Sequence, residues 1–458
     1  MKSSLPPGPR LPGFIQTSLY MSRPLHFLKR WSQQHGDTFT VHMTGSGDFV
    51  FITSPEDIRR VFTASIDVIY AGESNSLVRP FVGDSSVVVL DGEAHIRSRR
   101  QLLPPFQNER MQTYATIMRD VADASLDRWP VGRPFPLLSK MTEIAMELML
   151  RNIFGLEDPR EIATFLERFT SVLDEATSPM RVMASFAGLD LYKLLPFLHV
   201  SKLKRQLDDS IYELIARRRA APRDPTRQDV LTLILESKHE DGQAMTDREL
   251  RDALVTLIAA GYETSAIGMT FAVERLLAEP WALAKVHEEL DRVLGQETIV
   301  AEHLPALEYL DAAIKESLRL RPLVPLISRR TKAPFELSRH TLPAETMLIP
   351  ALVLTHLRED LYPDPERFDP ARFLGTKPDP YAWLPFGGGA RRCLGMAFAM
   401  YEMRMVLATV LRRASLELAS NRPVRMVNRH IMLAPSDGAP VVLKARRPKP
   451  QTKNSAAA

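Results

Sequence analysis

The sequence predicts a mainly α-helical protein with a minor β part, built from strands at both ends of the chain. Helical periodicity dominates from about residue 108 to residue 290, whereas short β-forming runs occur before residue 53 and after residue 321. Because early and late strands must meet, we expect one interwoven domain over residues 25–445. Residues 1–24 read as a Pro-rich N-terminal segment, and residues 446–458 as a disordered tail.

The first elements expected are a helix, a hairpin and a second helix. Residues 25–31 carry an apolar helical pattern, and the runs 38–43 and 49–52 are rich in β-branched and aromatic residues around a Gly-rich turn. Ser54 followed by Pro55 is typical of a helix start, because Ser caps the free N–H groups and Pro suits the first helical position.

Helices with clear ends follow in the second half of the chain. Thr246 and Glu249 form a capping box that opens a long apolar helix, expected to end near Ala278 before a proline. Further helices are expected at about 281–294, 309–320 and 394–413, and short strands at 431–433 and 441–443. The prolines between residues 322 and 385 favour irregular connections over long strands.

Composition excludes several classes of protein. The 458 residues are 45% hydrophobic, and 59 basic against 55 acidic residues give a net charge of +4 without a Lys/Arg run, which does not favour nucleic-acid binding. One cysteine rules out an intramolecular disulfide and an all-Cys iron–sulfur cluster within the chain. We see no apolar run long enough to cross a bilayer and no secretory signal, so we expect no transmembrane segment and a cytoplasmic location.

The only cysteine follows a glycine-rich stretch and sits at a helix start. Residues 387–389 are all glycine, which lets the backbone turn tightly beside a large flat group. Arg391, Arg392 and the helix N-terminus favour a negative sulfur at Cys393. A phosphate-binding loop is excluded because no Gly-Lys-Ser/Thr follows, and zinc lacks a second Cys or a nearby His. The pattern therefore indicates a thiolate or a metal-bound sulfur.

Three further pairs are notable for their spacing. Glu263 and Thr264 adjoin inside the long apolar helix, after Gly261, where a carboxylate behind a hydroxyl could relay protons and the glycine could let the helix widen. Glu316 and Arg319 lie three apart on one helix face; a surface ion pair would explain them equally well. The third pair is four apart, His95 and Arg99. From the residues alone, it could be a solvated basic face.

The cysteine segment resembles the heme-binding loop of the cytochrome P450 family. The family pattern Phe-x-x-Gly-x-Arg-x-Cys-x-Gly is matched in full by Phe386, Gly389, Arg391, Cys393 and Gly395. The stretch from residue 260 to 264 also matches the family's Ala/Gly-Gly-x-Asp/Glu-Thr pattern, about 130 residues earlier. The resemblance covers nearly the whole chain and implies the P450 fold with heme b, whose iron would have the Cys393 thiolate as axial ligand.

The resemblance also implies roles for the other residues. Glu263 and Thr264 would be the catalytic pair for O2 activation. Gly395 would let the following helix approach the porphyrin, and Glu316 with Arg319 would join Arg372 in a network that locks the core. The expected propionate ligands are His95, Arg99, Arg391 and Arg329, although Arg330 is adjacent and remains open.

The implied activity is a monooxygenase acting on a hydrophobic small molecule, such as a fatty acid, terpenoid, steroid or polyketide. The expected pocket segments, at 69–89, before residue 263, 323–327 and 432–434, are nearly all apolar, and residues 179–186 would belong to a lid. Electrons from NAD(P)H would arrive through a separate ferredoxin- or flavodoxin-type donor and its reductase, and we expect a monomer. A heme-thiolate peroxygenase or isomerase, a heme-binding sensor and a non-heme helical interaction protein remain alternatives.

Overall fold

The computed structural model describes residues 5–176, 199–222, 224, 226–239, 242–429 and 432–449. The helices in these residues are α1 (Gly13–Ser22), α2 (Pro24–His35), α3 (Pro55–Thr63), α4 (Arg79–Val82), α5 (Gly92–Leu102), α6 (Asn108–Asp127), α7 (Leu137–Phe154), α8 (Pro159–Ala176), α9 (His199–Ala220), α10 (Val230–Glu236), α11 (Asp247–Ala278), α12 (Pro280–Leu294), α13 (Glu308–Leu320), α14 (Leu352–Thr355) and α15 (Met396–Arg413). The strands are β1 (Thr38–Met43), β2 (Gly47–Ile52), β3 (Ile69–Tyr70), β4 (Pro134–Pro136), β5 (Arg329–Thr331), β6 (Phe335–Leu337), β7 (His340–Leu342), β8 (Met347–Pro350), β9 (Ala414–Leu418), β10 (Met426–Arg429), β11 (Met432–Pro435) and β12 (Pro440–Arg446).

Helix α11 runs through the main hydrophobic core and organises it. Its capping box forms as predicted, with the Thr246 hydroxyl accepting from the Glu249 amide and the Glu249 carboxylate accepting from the Thr246 amide. Residues around its circumference are buried, as expected of a helix apolar on all sides. By length and composition α11 could cross a membrane, which corrects the expectation that no such run exists. However, 72% of its apolar window is buried inside the protein, as in a central core helix.

The main sheet joins both ends of the chain, as the sequence predicted. Its strand order is β1-β2-β8-β5-β3, in which β2 pairs in parallel with β8. A second sheet has the order β4-β12-β9, and β10 pairs with β11 in a separate hairpin. The main sheet packs against α1 and α2 through β1 and carries Arg329 at the start of β5. The fold is therefore mainly α with small sheets, as expected.

Both chain ends differ in detail from the expectations. The N-terminal segment contains α1, whose buried Gln16 donates to the carbonyls of Pro9 and Leu11 and accepts from the His42 amide. At the other end, strand β12 continues to Arg446, and the Arg447 amide donates to the Arg413 carbonyl at 2.7 Å. Three expected features lie wholly or partly outside the described residues. They are the 446–458 tail from residue 450 onward, the lid at 179–186, and Ile431 of the strand expected at 431–433.

Candidate functional site

The loop before α15 is shaped by close contact with α3. The Cys393 amide donates to the Phe386 carbonyl at 2.9 Å, which closes the loop. Gly389 has φ of 64°, and a Cβ there would lie 1.8 Å from the Phe62 carbonyl oxygen. Only glycine satisfies both the left-handed backbone and this approach. Helix α15 begins at Met396 rather than at Leu394, so Cys393 lies just before the helix.

Cys393 faces an internal space. Its side chain has accessible surface, but burial raises the pKa of its thiol, so it does not face open solvent. The Gly395 amide, which hydrogen-bonds to the thiol, and the charges of Arg99 and Arg392 act in the opposite direction and lower the pKa. The sequence-based expectation that the surroundings favour a thiolate is therefore wrong for the protein alone. A cation bound to the sulfur would favour the thiolate and so act against this effect of burial.

Four basic groups, here called the basic cluster, converge near this loop: His95 and Arg99 from α5, Arg329 from β5 and Arg391 from the loop. Burial, followed by the charges of Arg391 and Arg99, lowers the pKa of His95 to about 4. Burial and the charge of Arg391 lower the pKa of Arg329 to about 10. Such shifts indicate positive charges held together out of water.

Asp91 is the carboxylate that contacts the basic cluster, and sequence reasoning did not identify it. One of its oxygens accepts from Arg391 at 2.6 Å and also from the amides of Ala71 and Gly72. Arg329 and Arg391 both interact with this carboxylate, and Arg99 adds a third guanidinium near Arg391, so these groups together carry an excess of two positive charges. The signal in the sequence was an Asp directly before α5, a position from which Asp often caps a helix. In the structure its side chain makes no cap bond to α5 and binds Arg391 instead.

Arg329 and Arg330 point in different directions, and of the two only Arg329 lies with the basic cluster. Arg329 is 6% exposed and belongs to the basic cluster. Arg330 is more exposed and lies 3.4 Å from the surface carboxylate of Glu345. Because side chains alternate along a strand, one neighbour faces the interior while the other faces solvent.

Glu263 and Thr264 lie on α11, with Glu263 only 5% exposed. The Thr264 hydroxyl donates to the Ala260 carbonyl at 2.6 Å. Nε of Arg429, from the end of β10, lies 2.8 Å from Oε1 of Glu263. Arg429 was not foreseen, because a contact over this sequence distance leaves no local pattern.

Gly261 has a different role from the one the sequence suggested. The helix is continuous through residues 261–264, without the expected widening. A Cβ at Gly261 would lie 2.6 Å from Sδ of Met149 on α7. The glycine thus lets α7 pack closely against α11.

The expected Glu316–Arg319–Arg372 trio is brought together as a buried network. Glu316 and Arg319 are both fully buried and form two hydrogen bonds of 2.6 and 2.8 Å. Nε of Arg372 lies 3.4 Å from Glu316, and the Asp369 amide donates to Glu316 at 2.9 Å. The network therefore ties α13 to the segment that leads toward the cysteine loop.

His356 completes this network and was missed by sequence reasoning. Its Nδ1 lies 3.1 Å from the Arg319 carbonyl, and its Nε2 accepts from the Leu384 amide at 2.9 Å. Full burial, together with the charge of Arg319, lowers its pKa to about 3. The neutral ring thus links α13 to the backbone two residues before Phe386. We call Glu316, Arg319, Arg372 and His356 the core network.

Two of the expected pocket segments meet. The Leu433 amide of β11 donates to the Leu323 carbonyl at 2.9 Å. Residues 432–434 are buried, and Leu323 and Val324 pack against the main core. These contacts bring an apolar wall to the same region of the core as α11.

The residues present fit a heme with two propionates. Cys393 faces an internal space, and no atom lies within 4 Å of a Cβ built at Gly395, so a flat group has room beside the loop. The three arginines of the basic cluster and Asp91 together carry a net charge of +2, which two propionates would neutralise. Cys393 would hold the iron, and the basic cluster would hold the propionates.

Comparisons with known proteins agree with this site. The cytochrome P450 family model matches residues 5–440. The chain is 38% identical over 446 residues to a putative cytochrome P450 135B1 of Mycobacterium tuberculosis, covering 97% of this chain and 92% of the relative. It is 36% identical to a putative cytochrome P450 138 of the same species, covering 96% and 97%. The fold matches a retinoic acid-bound cyanobacterial CYP120A1 with a TM-score of 0.82 at 24% identity, over 96% of this chain and 100% of that one. The chain therefore belongs to the cytochrome P450 family and is a heme-thiolate monooxygenase.

Proposed function

We propose that this P450 hydroxylates or epoxidises a hydrophobic small molecule and that Glu263 and Thr264 deliver the protons for O2 activation. The observation that carries the proposal is the burial of Glu263, which is 5% exposed beside a hydroxyl in the middle of α11. Burying a carboxylate is costly, so its presence in an apolar helix needs a reason. A carboxylate next to a hydroxyl can hold and pass protons where bulk water is excluded.

Other residues bind the heme, hold the proton at Thr264 and exclude water from the site. Cys393 and the basic cluster bind and orient the heme, which when bound supplies O2 activation with electron density from the thiolate. The Thr264 hydroxyl donates to the Ala260 carbonyl, so its oxygen keeps lone pairs with which it can accept a proton. Rotation of the hydroxyl away from that carbonyl would let it donate in turn. The apolar wall near Leu323 and Leu433 keeps water from the reacting atoms.

The substrate class follows from the apolar lining. Fatty acids, terpenoids, steroids and polyketides fit such a pocket. Electrons from NAD(P)H reach the enzyme through a separate ferredoxin- or flavodoxin-type protein and its reductase. Three arginines near the cysteine loop or on α5 are exposed and would meet an acidic redox protein: Arg97, Arg100 and Arg392. The enzyme acts as a cytoplasmic monomer.

Thr264→Ala tests the proton-delivery role. The substitution should leave heme content unchanged and divert most of the electrons drawn from NADPH to hydrogen peroxide. Thr270→Ala is the matched control, because Thr270 lies on the same helix, is buried and donates to the Ala266 carbonyl at 2.7 Å. Equal peroxide yield in the wild type and Thr264→Ala would contradict the role.

A ligand screen tests the substrate class. The panel contains long-chain fatty acids, terpenoids, steroids and polyketides, with retinoic acid included because the solved structural relative carries it. We expect a low-spin to high-spin shift of the heme spectrum with at least one apolar class. A shift only with small polar compounds would overturn the proposed substrate class.

A further inference from the structure

The acid of the proton-delivery pair has a charged partner from a distant part of the chain. Oε1 of Glu263 lies 2.8 Å from Nε of Arg429. The Glu263 side chain is 7% exposed, whereas that of Arg429 is 48% exposed. The ion pair therefore has one member inside the protein and the other at its surface.

The position of Arg429 at the end of β10 explains why its side chain extends from the solvent to the buried Glu263. Residues 427–429 of strand β10 are exposed, whereas all four residues of β11 are buried. Arg429 is the last residue of the exposed strand and pairs with Met432, the first residue of the buried one. From this position its stem crosses the boundary of the core and its guanidinium reaches Glu263 on α11.

The chemistry of arginine limits what it can do there. A guanidinium stays protonated, so Arg429 cannot itself pass protons. It can hold the Glu263 carboxylate in one orientation, because its Nε lies 2.8 Å from Oε1 of that carboxylate. Because its outer part is in water, the same contact marks where Glu263 lies near the bulk solvent.

We propose that Arg429 is a positioning residue for Glu263 and that protons enter the site from solvent at the β10–β11 hairpin. This inference rests on the proposed role of Glu263 in proton delivery. In this proposal Arg429 acts through Glu263, the residue that its guanidinium contacts. Loss of the guanidinium therefore matters only while the carboxylate is present.

A double-substitution cycle on the holoenzyme tests this dependence. The variants are Glu263→Gln, Arg429→Gln, their combination, and Arg429→Lys. Arg425→Gln is the matched control, because Arg425 is exposed beside the same hairpin. NADPH oxidation and peroxide yield are measured without substrate, with a ferredoxin and its reductase as the electron source, so no substrate needs to be known.

We expect Glu263→Gln to slow proton-dependent NADPH oxidation about 100-fold and Arg429→Gln about tenfold, with a larger share of peroxide in both. Arg429→Lys should recover most of the loss, and Arg425→Gln should match the wild type. In the Glu263→Gln background, Arg429→Gln should add nothing. The inference would be overturned if the two single-variant losses in NADPH oxidation rate multiplied in the double variant. It would also be overturned if Arg425→Gln lost as much rate as Arg429→Gln.

Urea unfolding gives a second readout that does not depend on turnover. Arg429→Gln should lower the unfolding midpoint of the wild type. It should not lower that of Glu263→Gln, because that variant has already lost the ion pair. Equal shifts in both backgrounds would show that Arg429 does not act through Glu263. If Glu263→Gln itself turns over normally, the proposed function fails. If only Arg429→Gln is normal, the positioning role alone fails.

Discussion

The core network and the basic cluster both hold charges wholly or partly removed from water, but only the core network has a fully buried ion pair that is neutral in itself, Glu316–Arg319. Arg319 has the Glu316 carboxylate and the His356 carbonyl as partners, and all three residues are fully buried. In the basic cluster, Arg329 and Arg391 both interact with one carboxylate, Asp91, and Arg99 adds a third positive charge near Arg391. The protein itself satisfies the Glu316–Arg319 pair, whereas the excess positive charge of the basic cluster favours the binding of an anionic ligand.

This difference separates a residue's structural role from a ligand-binding role without reference to any motif. A buried charge that the protein neutralises belongs to the scaffold. A buried charge that it leaves without a counter-charge points to a missing ligand. Substitutions should therefore have opposite signs in the two regions when the protein is studied without heme.

The largest effect is expected in the core network. Arg319→Leu leaves the Glu316 carboxylate buried without its main partner, so the free energy of unfolding should fall by about 3–5 kcal/mol. Lys315→Gln is the matched control on the same helix, because it removes only a surface pair with Asp311, worth about 0.3–0.5 kcal/mol. Urea unfolding measures both. If Arg319→Leu fails to fold, Arg372→Gln should still unfold cooperatively and show a smaller loss.

A substitution in the basic cluster should raise the free energy of unfolding of the heme-free protein instead of lowering it. Arg329→Gln removes a buried charge near Arg391, so the heme-free protein should gain about 1–3 kcal/mol. The same substitution should speed heme loss from the holoprotein to excess apomyoglobin. Arg330→Gln, whose side chain points toward Glu345 at the surface, should change neither. Destabilisation of the heme-free protein by Arg329→Gln would contradict the distinction between the two regions.

The smallest effect expected is a pH dependence from His356. Its pKa is about 3 in the folded protein and 6.5 for an ordinary histidine, so the unfolded chain takes up the proton first. Stability from this residue is present above pH 6.5 and is lost as the pH falls, by ~1 kcal/mol between pH 6.5 and 5.5. Urea unfolding at both pH values should show this loss.

His356→Gln should remove that part of the acid-dependent loss, because glutamine does not titrate. His26→Gln is the control, since His26 is exposed. An unchanged pH slope in His356→Gln would show that the ring is not held neutral between the Arg319 carbonyl and the Leu384 amide.

Local patterns predicted the elements and motif positions well. The capping box at Thr246 fixed the start of α11, and Pro280 marked its end near Ala278. The spacing of Glu316 and Arg319 placed both on one helix face, where they do pair. The main sheet was also correctly expected to combine strands from both halves of the chain. These features depend on residues that are neighbours in sequence or on periodicity.

Features that depend on burial could not be predicted in this way. The pKa of Cys393 is raised, although its nearby arginines and helix start suggested the opposite, because burial outweighs both. Gly261 contacts Met149 of α7, more than 100 residues earlier, and not a widened turn of its own helix. Burial and packing are set by the whole fold and have no local signature.

The sequence by itself determined the family, the cysteine ligand and the helices that carry the motif residues, because each is encoded by spacing over a few residues. Only the tertiary structure decided which partners those residues meet. It brought Asp91 to Arg391, His356 to Leu384 and Arg429 to Glu263. Each contact joins distant parts of the chain. Such pairs follow from how helices and sheets pack around the core and not from the residues beside them.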